Sequence, residues 1–102
     1  MDAKKEEWRD VVGYEGLYKV SNLGNVYSLL SNKILSPSKN HGGYLSVQLS
    51  KDNNINRKYI HRLVALAFLG DPPEDKQQIN HKDENKENNN VSNLEWISHI
   101  EN

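Results

Sequence analysis

The side chains with the clearest chemical potential lie within residues 78–102. Asn80 and His81 are adjacent, Asn93 follows a polar loop, and Asn102 is the last residue. A histidine is a good general base near neutral pH, and an amide oxygen can fix its tautomer by accepting the other ring N–H. Amide oxygens also suit Mg²⁺, a hard cation that takes oxygen ligands. A base and oxygen ligands for a cation are together the groups that metal-assisted hydrolysis needs.

The elements predicted for this stretch are a strand, a long loop, a second strand and a helix. Ile79 suits a short strand, and residues 83–90 are too rich in Asn and Glu for regular structure. Residues 94–96 alternate apolar and polar side chains, which predicts the second strand. Ser98 and Glu101 have the capping-box spacing that opens a helix. Neighbouring strand residues point to opposite faces, so the two members of the Asn–His pair are expected to do different jobs.

This order of motifs resembles the ββα-metal site of HNH nucleases, in the form found in phage and intron-encoded homing endonucleases. The segments that carry the resemblance are Asn80-His81-Lys82-Asp83, Asn85-Lys86, Asn88-Asn89, Asn93-Leu94-Glu95-Trp96 and Glu101-Asn102. Upstream, residues 61–68 belong to the same family pattern, and residues 8–28 resemble a small modular motif often attached to such nucleases. The resemblance therefore covers nearly the whole chain.

The resemblance implies a DNA endonuclease that acts on double-stranded DNA with a single divalent ion, Mg²⁺ or Mn²⁺. His81 would be the general base and Asn93 the group that orients it. Asn80 and Asn102 would be the metal ligands. Because two amides bring no charge to the metal, we expect the free protein to bind Mg²⁺ weakly and DNA phosphate to strengthen that binding.

A second hypothesis is a DNA- or protein-binding module, such as a phage regulator or inhibitor, that keeps the HNH fold and cleaves DNA weakly or not at all. Retention of both His81 and Asn93 favours the enzyme, because pure binding needs neither. A purely structural protein would explain none of these residues.

Charge is distributed unevenly along the chain, although the net charge is only −1. Residues 41–70 carry four Lys or Arg against one Asp, whereas residues 71–102 carry three Lys against eight Asp or Glu. If DNA is the partner, the middle of the chain must therefore supply most phosphate contacts. The predicted DNA-binding residues are Lys39, Lys51, Arg57, Lys58, Arg62 and, beside the site, Lys82.

The pattern of apolar residues predicts an α+β fold. An N-terminal antiparallel β-sheet lobe would include a hairpin over residues 17–30, and residues 44–49 alternate as a half-buried strand does. A helix is predicted over residues 61–69, before a Pro-Pro pair that forbids its continuation. Domain boundaries are expected at residues 1–57 for the β-rich module and 58–102 for the nuclease domain.

Composition excludes several classes of protein. The chain has no Cys, which excludes disulfides and thiolate zinc sites. It has no apolar run of about 18 residues, the length that suggests a membrane span. We therefore expect an intracellular protein, and the resemblance implies one that is encoded by a phage and cytoplasmic in a bacterial host. Sequence leaves the oligomeric state open, and a monomer is favoured.

Overall fold

The computed structural model describes residues 5–98. Its first four strands form an antiparallel sheet in sequence order: β1 (Trp8–Asp10), β2 (Tyr18–Ser21), β3 (Val26–Ser28) and β4 (Lys33–Ile34). The predicted hairpin is confirmed, because β2 pairs with β3 across a tight turn. This sheet buries alternate side chains of β2 and β3 against the rest of the molecule.

The next three strands form a second antiparallel sheet: β5 (Ser38–Lys39), β6 (Leu45–Lys51) and β7 (Asn54–Tyr59). The alternation predicted around residues 44–49 is observed, since Val47 and Leu49 are buried while Gln48 is exposed. Val47 pairs with Lys58 and Gln48 with Arg57, so these basic neighbours lie on opposite faces. We call the face that carries Ser38, Ser46, Gln48, Arg57 and Tyr59 the outer face.

β7 runs directly into α1 (Ile60–Phe68), which begins and ends one residue before the predicted helix. Its apolar stripe packs in the centre of the core, where Val64 is fully buried. Arg9 of β1 lies over the Phe68 ring at 4.5 Å and donates a hydrogen bond to the Ala67 carbonyl at 2.9 Å. The first sheet therefore contacts the C-terminal end of the helix. The helix thus contributes Leu63 and Val64 to the one core that all three sheets share.

The third sheet is a hairpin of β8 (Gln78–His81) and β9 (Leu94–Ile97), joined by a long loop that ends in a 3-10 turn (Val91–Asn93). Together with the helix, these antiparallel strands confirm the α+β class. The helix predicted from Ser98 lies in residues 99–102, outside the described part of the chain. In the described part, no helix has the length and apolar character needed to cross a membrane.

The boundary expected between residues 57 and 58 falls inside β7. The core is continuous across it, because Val20 and Leu49 belong to the same buried cluster as Leu63 and Leu94. The division into residues 1–57 and 58–102 stays a prediction about modules, and within residues 5–98 the two parts share one core.

Candidate active site

Residues 82–93, here called the site loop, are held together by their own polar groups. Asp83 Oδ1 accepts hydrogen bonds from the Asn85 backbone N–H at 2.8 Å and from Asn93 Nδ2 at 2.9 Å, and Oδ2 accepts from Asn88 Nδ2 at 2.8 Å. These bonds, above all the one from Asn88, lower the pKa of Asp83 below its ordinary value. An ionised carboxylate therefore organises the loop at neutral pH.

Asn93 closes the loop at its base. Its Oδ1 accepts from the Asp83 backbone N–H at 3.0 Å, and its Nδ2 donates to Asp83 and to the Asn88 carbonyl, both at 2.9 Å. In the described residues this amide bonds to Asp83 and to Asn88, whereas the hydrogen bond of His81 goes to another asparagine. That Asn93 orients His81 directly stays a prediction. We expect Asn93 to influence catalysis by holding the shape of the site loop.

The hydrogen-bond partner of His81 is Asn89. His81 Nε2 lies 2.8 Å from Asn89 Oδ1, and the two side chains are only 6% and 4% exposed. An amide oxygen can only accept, so the contact places the proton on Nε2 and leaves the lone pair on Nδ1. His81 is thus held in the tautomer that can take a proton from water through Nδ1. The neighbouring Asn88 and Asn90 have the same side chain, so sequence gave no signal that singled out Asn89.

The N-terminal sheet supports Asn89 from behind. The turn between β2 and β3 contains Gly24, where an added Cβ would lie 3.0 Å from Asn89 Cβ. In the same turn, the Asn22 carbonyl accepts a hydrogen bond from the Val91 backbone N–H at 2.8 Å. The position of the His81 partner therefore depends on the first sheet as well as on the site loop.

Aromatic rings close the other side of His81. Tyr44, Tyr59 and His61, here called the ring wall, have centroids 5.2–6.0 Å apart, and the His61 centroid is 5.2 Å from that of His81. Burial, helped by the charges of His81 and Arg62, lowers the pKa of His61 to about 4. His61 is therefore neutral at physiological pH. Its approach to His81 depends on how α1 packs.

A cleft of about 210 Å³ opens beside His81 and is lined by Tyr44, Ile79, Asn80, His81, Glu84 and Lys86. Lys86 Nζ donates to the Gly42 carbonyl at 2.8 Å and lies 4.8 Å above the Tyr44 ring, so a cation stands at the rim. Sequence reasoning placed Lys86 in a motif without giving it a role. A cleft that combines a histidine, amide and carboxylate oxygens and a cation suits a bound phosphate.

Asn80 meets Glu95 across the hairpin, with Nδ2 donating to Glu95 Oε2 at 2.8 Å. Its Oδ1 is the end left for a ligand, and an amide oxygen fits a hard divalent cation. Within residues 5–98, no group of three or more His, Cys, Asp or Glu is arranged to hold a metal ion. Among the described residues, a cation would therefore need amide oxygens such as that of Asn80 as ligands. The other predicted ligand, Asn102, lies outside the described residues.

The six residues predicted to bind DNA do not share one surface. Arg57 and Lys39 line a groove of about 550 Å³ beside the outer face, where Arg57 also donates to Ser46 Oγ at 2.9 Å. Lys39 pairs with Glu87 of the site loop at 2.8 Å, and Lys82 is exposed next to His81. The remaining three, Lys51, Lys58 and Arg62, point elsewhere: Lys51 to the Gly13 carbonyl, Lys58 to the opposite face of β7, and Arg62 over the Trp96 ring.

Comparison with known families assigns both parts of the chain. The pattern of the HNH endonuclease family matches residues 58–102, and the NUMOD4 motif matches residues 6–50. The first match contains α1, the site loop and both strands of the third sheet. The second contains the turn that supports Asn89.

Relatives agree with these matches. The chain is 45% identical over its whole length to an uncharacterized HNH endonuclease of Acanthamoeba polyphaga mimivirus, of which it covers 26%. It is 42% identical to the DNA endonuclease I-HmuI of Bacillus phage SP01, over 90% of this chain and 52% of the relative. The H-N-H endonuclease F-TflII of Escherichia phage T5 is 36% identical, over 76% of this chain and 40% of the relative.

A solved structure, described as DNA binding and cleavage by the HNH homing endonuclease I-HmuI, superposes on this chain with a TM-score of 0.86 at 41% identity. The match covers 92% of this chain and 53% of that structure. The chain therefore spans between about a quarter and a half of the length of these relatives.

Proposed function

Because the chain belongs to the HNH homing endonuclease family, we propose that it hydrolyses phosphodiester bonds of double-stranded DNA with one divalent cation, Mg²⁺ or Mn²⁺. The observation that carries this proposal is the hydrogen bond between His81 Nε2 and Asn89 Oδ1 at 2.8 Å. It leaves Nδ1 as a base beside a cleft that also contains Asn80 and Lys86. The phage relatives support action in the cytoplasm of a bacterial host.

In this mechanism His81 Nδ1 takes the proton of the water that attacks phosphorus. Asn89 keeps the ring in place and accepts the Nε2–H, which stabilises the imidazolium that forms. Asn93 acts on the reaction by holding Asp83 and thus the shape of the site loop. A divalent cation, when bound, neutralises the phosphate and stabilises the leaving oxygen. Asn80 and, outside the described residues, Asn102 would hold it.

DNA would reach the cleft along the outer face of the second sheet. Arg57 and Lys39 line the groove beside that face, and Lys82 and Lys86 lie next to the cleft. Tyr59 belongs both to the outer face and to the ring wall, so the surface continues into the site. Lys51, Lys58 and Arg62 would contribute less, because their side chains point away from it. All the site residues in this scheme belong to one chain, which suits a monomer.

The test is nicking of supercoiled plasmid with Mg²⁺ or Mn²⁺ by the wild-type chain and by His81→Ala. We expect His81→Ala to bind DNA as the wild type does and to lose nicking by a factor of about 10² to 10⁴, the usual contribution of a general base. Asn56→Ala is the control, because Asn56 is exposed on the face of β7 opposite the outer face and should have no effect. DNA binding by the wild type without nicking under either metal would contradict the proposal.

A further inference from the structure

Glu95 is joined to the proposed metal ligand by a direct hydrogen bond. The register of the β8–β9 hairpin places it opposite Asn80, and Asn80 Nδ2 donates to Glu95 Oε2 at 2.8 Å. Both side chains are half-buried. Because a carboxylate accepts and never donates, the contact fixes the Asn80 amide with its nitrogen toward Glu95 and its oxygen away from it.

We propose that Glu95 is a positioning residue of the metal site, which orients Asn80 Oδ1 toward the cation and supplies negative charge one amide group away. The inference rests on the proposed function, since it takes Asn80 as a metal ligand. Glu95 would supply the negative charge that the two proposed ligands lack, because the side chains of Asn80 and Asn102 are both neutral.

Two physical effects act together in this pair. The charge-assisted hydrogen bond holds the amide in one orientation, so a cation does not have to order it on binding. The bond also polarises the amide, because hydrogen-bonded groups polarise one another, and half-burial of the pair limits the screening of this effect by water. The Asn80 oxygen therefore becomes a better ligand, and the nearby carboxylate attracts the cation.

A purely structural role would have a different signature. A cross-strand pair of polar side chains contributes roughly 0.2–1 kcal/mol to a hairpin, and losing it would lower stability without changing metal affinity. The measurement that separates the two roles is therefore metal binding by folded protein, without DNA and without turnover.

The experiment is titration of the full chain with Mn²⁺, followed by electron paramagnetic resonance of the free ion. Glu95→Gln keeps the size of the side chain and removes its charge, so we expect Mn²⁺ affinity to fall roughly 10- to 100-fold, as for other hydrogen-bond partners of metal ligands. Glu74→Gln removes the same charge from an exposed loop position and should leave the affinity unchanged. Thermal unfolding with and without Mn²⁺ provides a second measure of binding. Mn²⁺ should raise the melting temperature of the wild type and of Glu74→Gln, and it should raise that of Glu95→Gln less.

A double-mutant cycle tests whether Glu95 acts through Asn80. Asn80→Ala should weaken Mn²⁺ binding, and adding Glu95→Gln to it should weaken binding little further, because the oriented oxygen is already absent. Unchanged Mn²⁺ affinity in Glu95→Gln, an equal loss in Glu74→Gln, additive losses in the cycle, or no Mn²⁺ binding by the wild type would each overturn the inference. A wild type that binds Mn²⁺ through Glu95 and never nicks DNA would instead contradict the proposed nuclease and leave the inference standing.

Discussion

His81 lies between two structures that hold it by different means. On one side the site loop uses directional hydrogen bonds: Asp83 gathers the amides, and Asn89 receives the Nε2–H of His81. On the other side the ring wall contacts it through faces and edges, and His61 Nδ1 is buried with no hydrogen-bond partner among the described residues.

The difference separates two requirements of the general base proposed here. A hydrogen bond depends on single atoms, so the site loop can fix where the proton of His81 resides. Packed rings exclude water and tolerate small shifts, so the ring wall sets the polarity of the surroundings. Substitutions in the loop should therefore reduce activity more than stability, and substitutions in the wall should do the reverse.

The largest effect is expected from Asn89→Ala. It removes the acceptor for the His81 Nε2–H, so the tautomer is no longer fixed and a buried donor is left unpaired. We expect nicking to fall about 10²-fold or more, within the usual contribution of a general base. Stability should fall by about 1–3 kcal/mol, the cost of an unsatisfied buried group.

Urea unfolding and plasmid nicking on the same preparation measure both quantities. Asn56→Ala, which truncates an exposed amide on β7, is the control and should change neither. Unaltered nicking in Asn89→Ala would mean that the ring wall alone fixes the tautomer, and the comparison would fail.

A smaller effect is expected where the first sheet supports the loop. Gly24 has φ +94° and Gly16 has φ +82°, so Ala is strained at both positions by about 1–2 kcal/mol. Only at Gly24 does the added Cβ also meet Asn89, whereas at Gly16 it meets nothing within 4 Å. Gly24→Ala should therefore lose nicking roughly tenfold, less than the hundredfold that a misplacement of 1 Å can cost.

Gly16→Ala should lose comparable backbone stability and keep its nicking rate once folded. Rates are to be compared under conditions in which urea titration shows both variants to be native. Equal nicking by the two would mean that the turn between β2 and β3 does not position Asn89.

These residues mark where sequence reasoning succeeds and where it fails. Alternation identified the buried face of β6, and the apolar stripe located α1 to within one residue. The partner of His81 could not be chosen, because the loop has no periodicity and offers several identical amides. The pairing of Glu95 with Asn80 depends on the register of the β8–β9 hairpin, which a long irregular loop does not reveal in the sequence. The contact between His61 and His81 depends on tertiary packing.

The ring wall is tested by the pH dependence of stability. His61 has its pKa lowered to about 4 in the folded protein, against 6.5 in the unfolded chain. Folding therefore favours the neutral form of His61. The part of the folding free energy that depends on this form is fully present above pH 6.5 and is lost as the pH falls through 4. We expect it to be worth about 2 kcal/mol, after discounting for partial exposure.

His61→Phe keeps a ring in the wall and removes the titration. Urea unfolding at several pH values between 7 and 4 should show a shallower loss of stability in this variant than in the wild type. His41→Gln, at an exposed position, should keep the wild-type slope. A wild-type slope in His61→Phe would show that other groups carry the pH dependence.

The smallest effect is expected farthest from His81, where the outer face continues from the ring wall. Arg57 and Lys58 are adjacent on β7 and carry the same charge, but Arg57 pairs with exposed Gln48 and Lys58 with buried Val47. If DNA lies along the outer face, Arg57→Ala should weaken binding several-fold and reduce the slope of log affinity against log salt by about 0.9, the value for one phosphate contact. Lys58→Ala removes the same charge from the other face, so it should change the slope by much less.

Fluorescence anisotropy with a labelled duplex at several salt concentrations measures both. Equal slopes for the two variants would mean that DNA senses the charge of the strand and not its face, and the path along the outer face would be wrong.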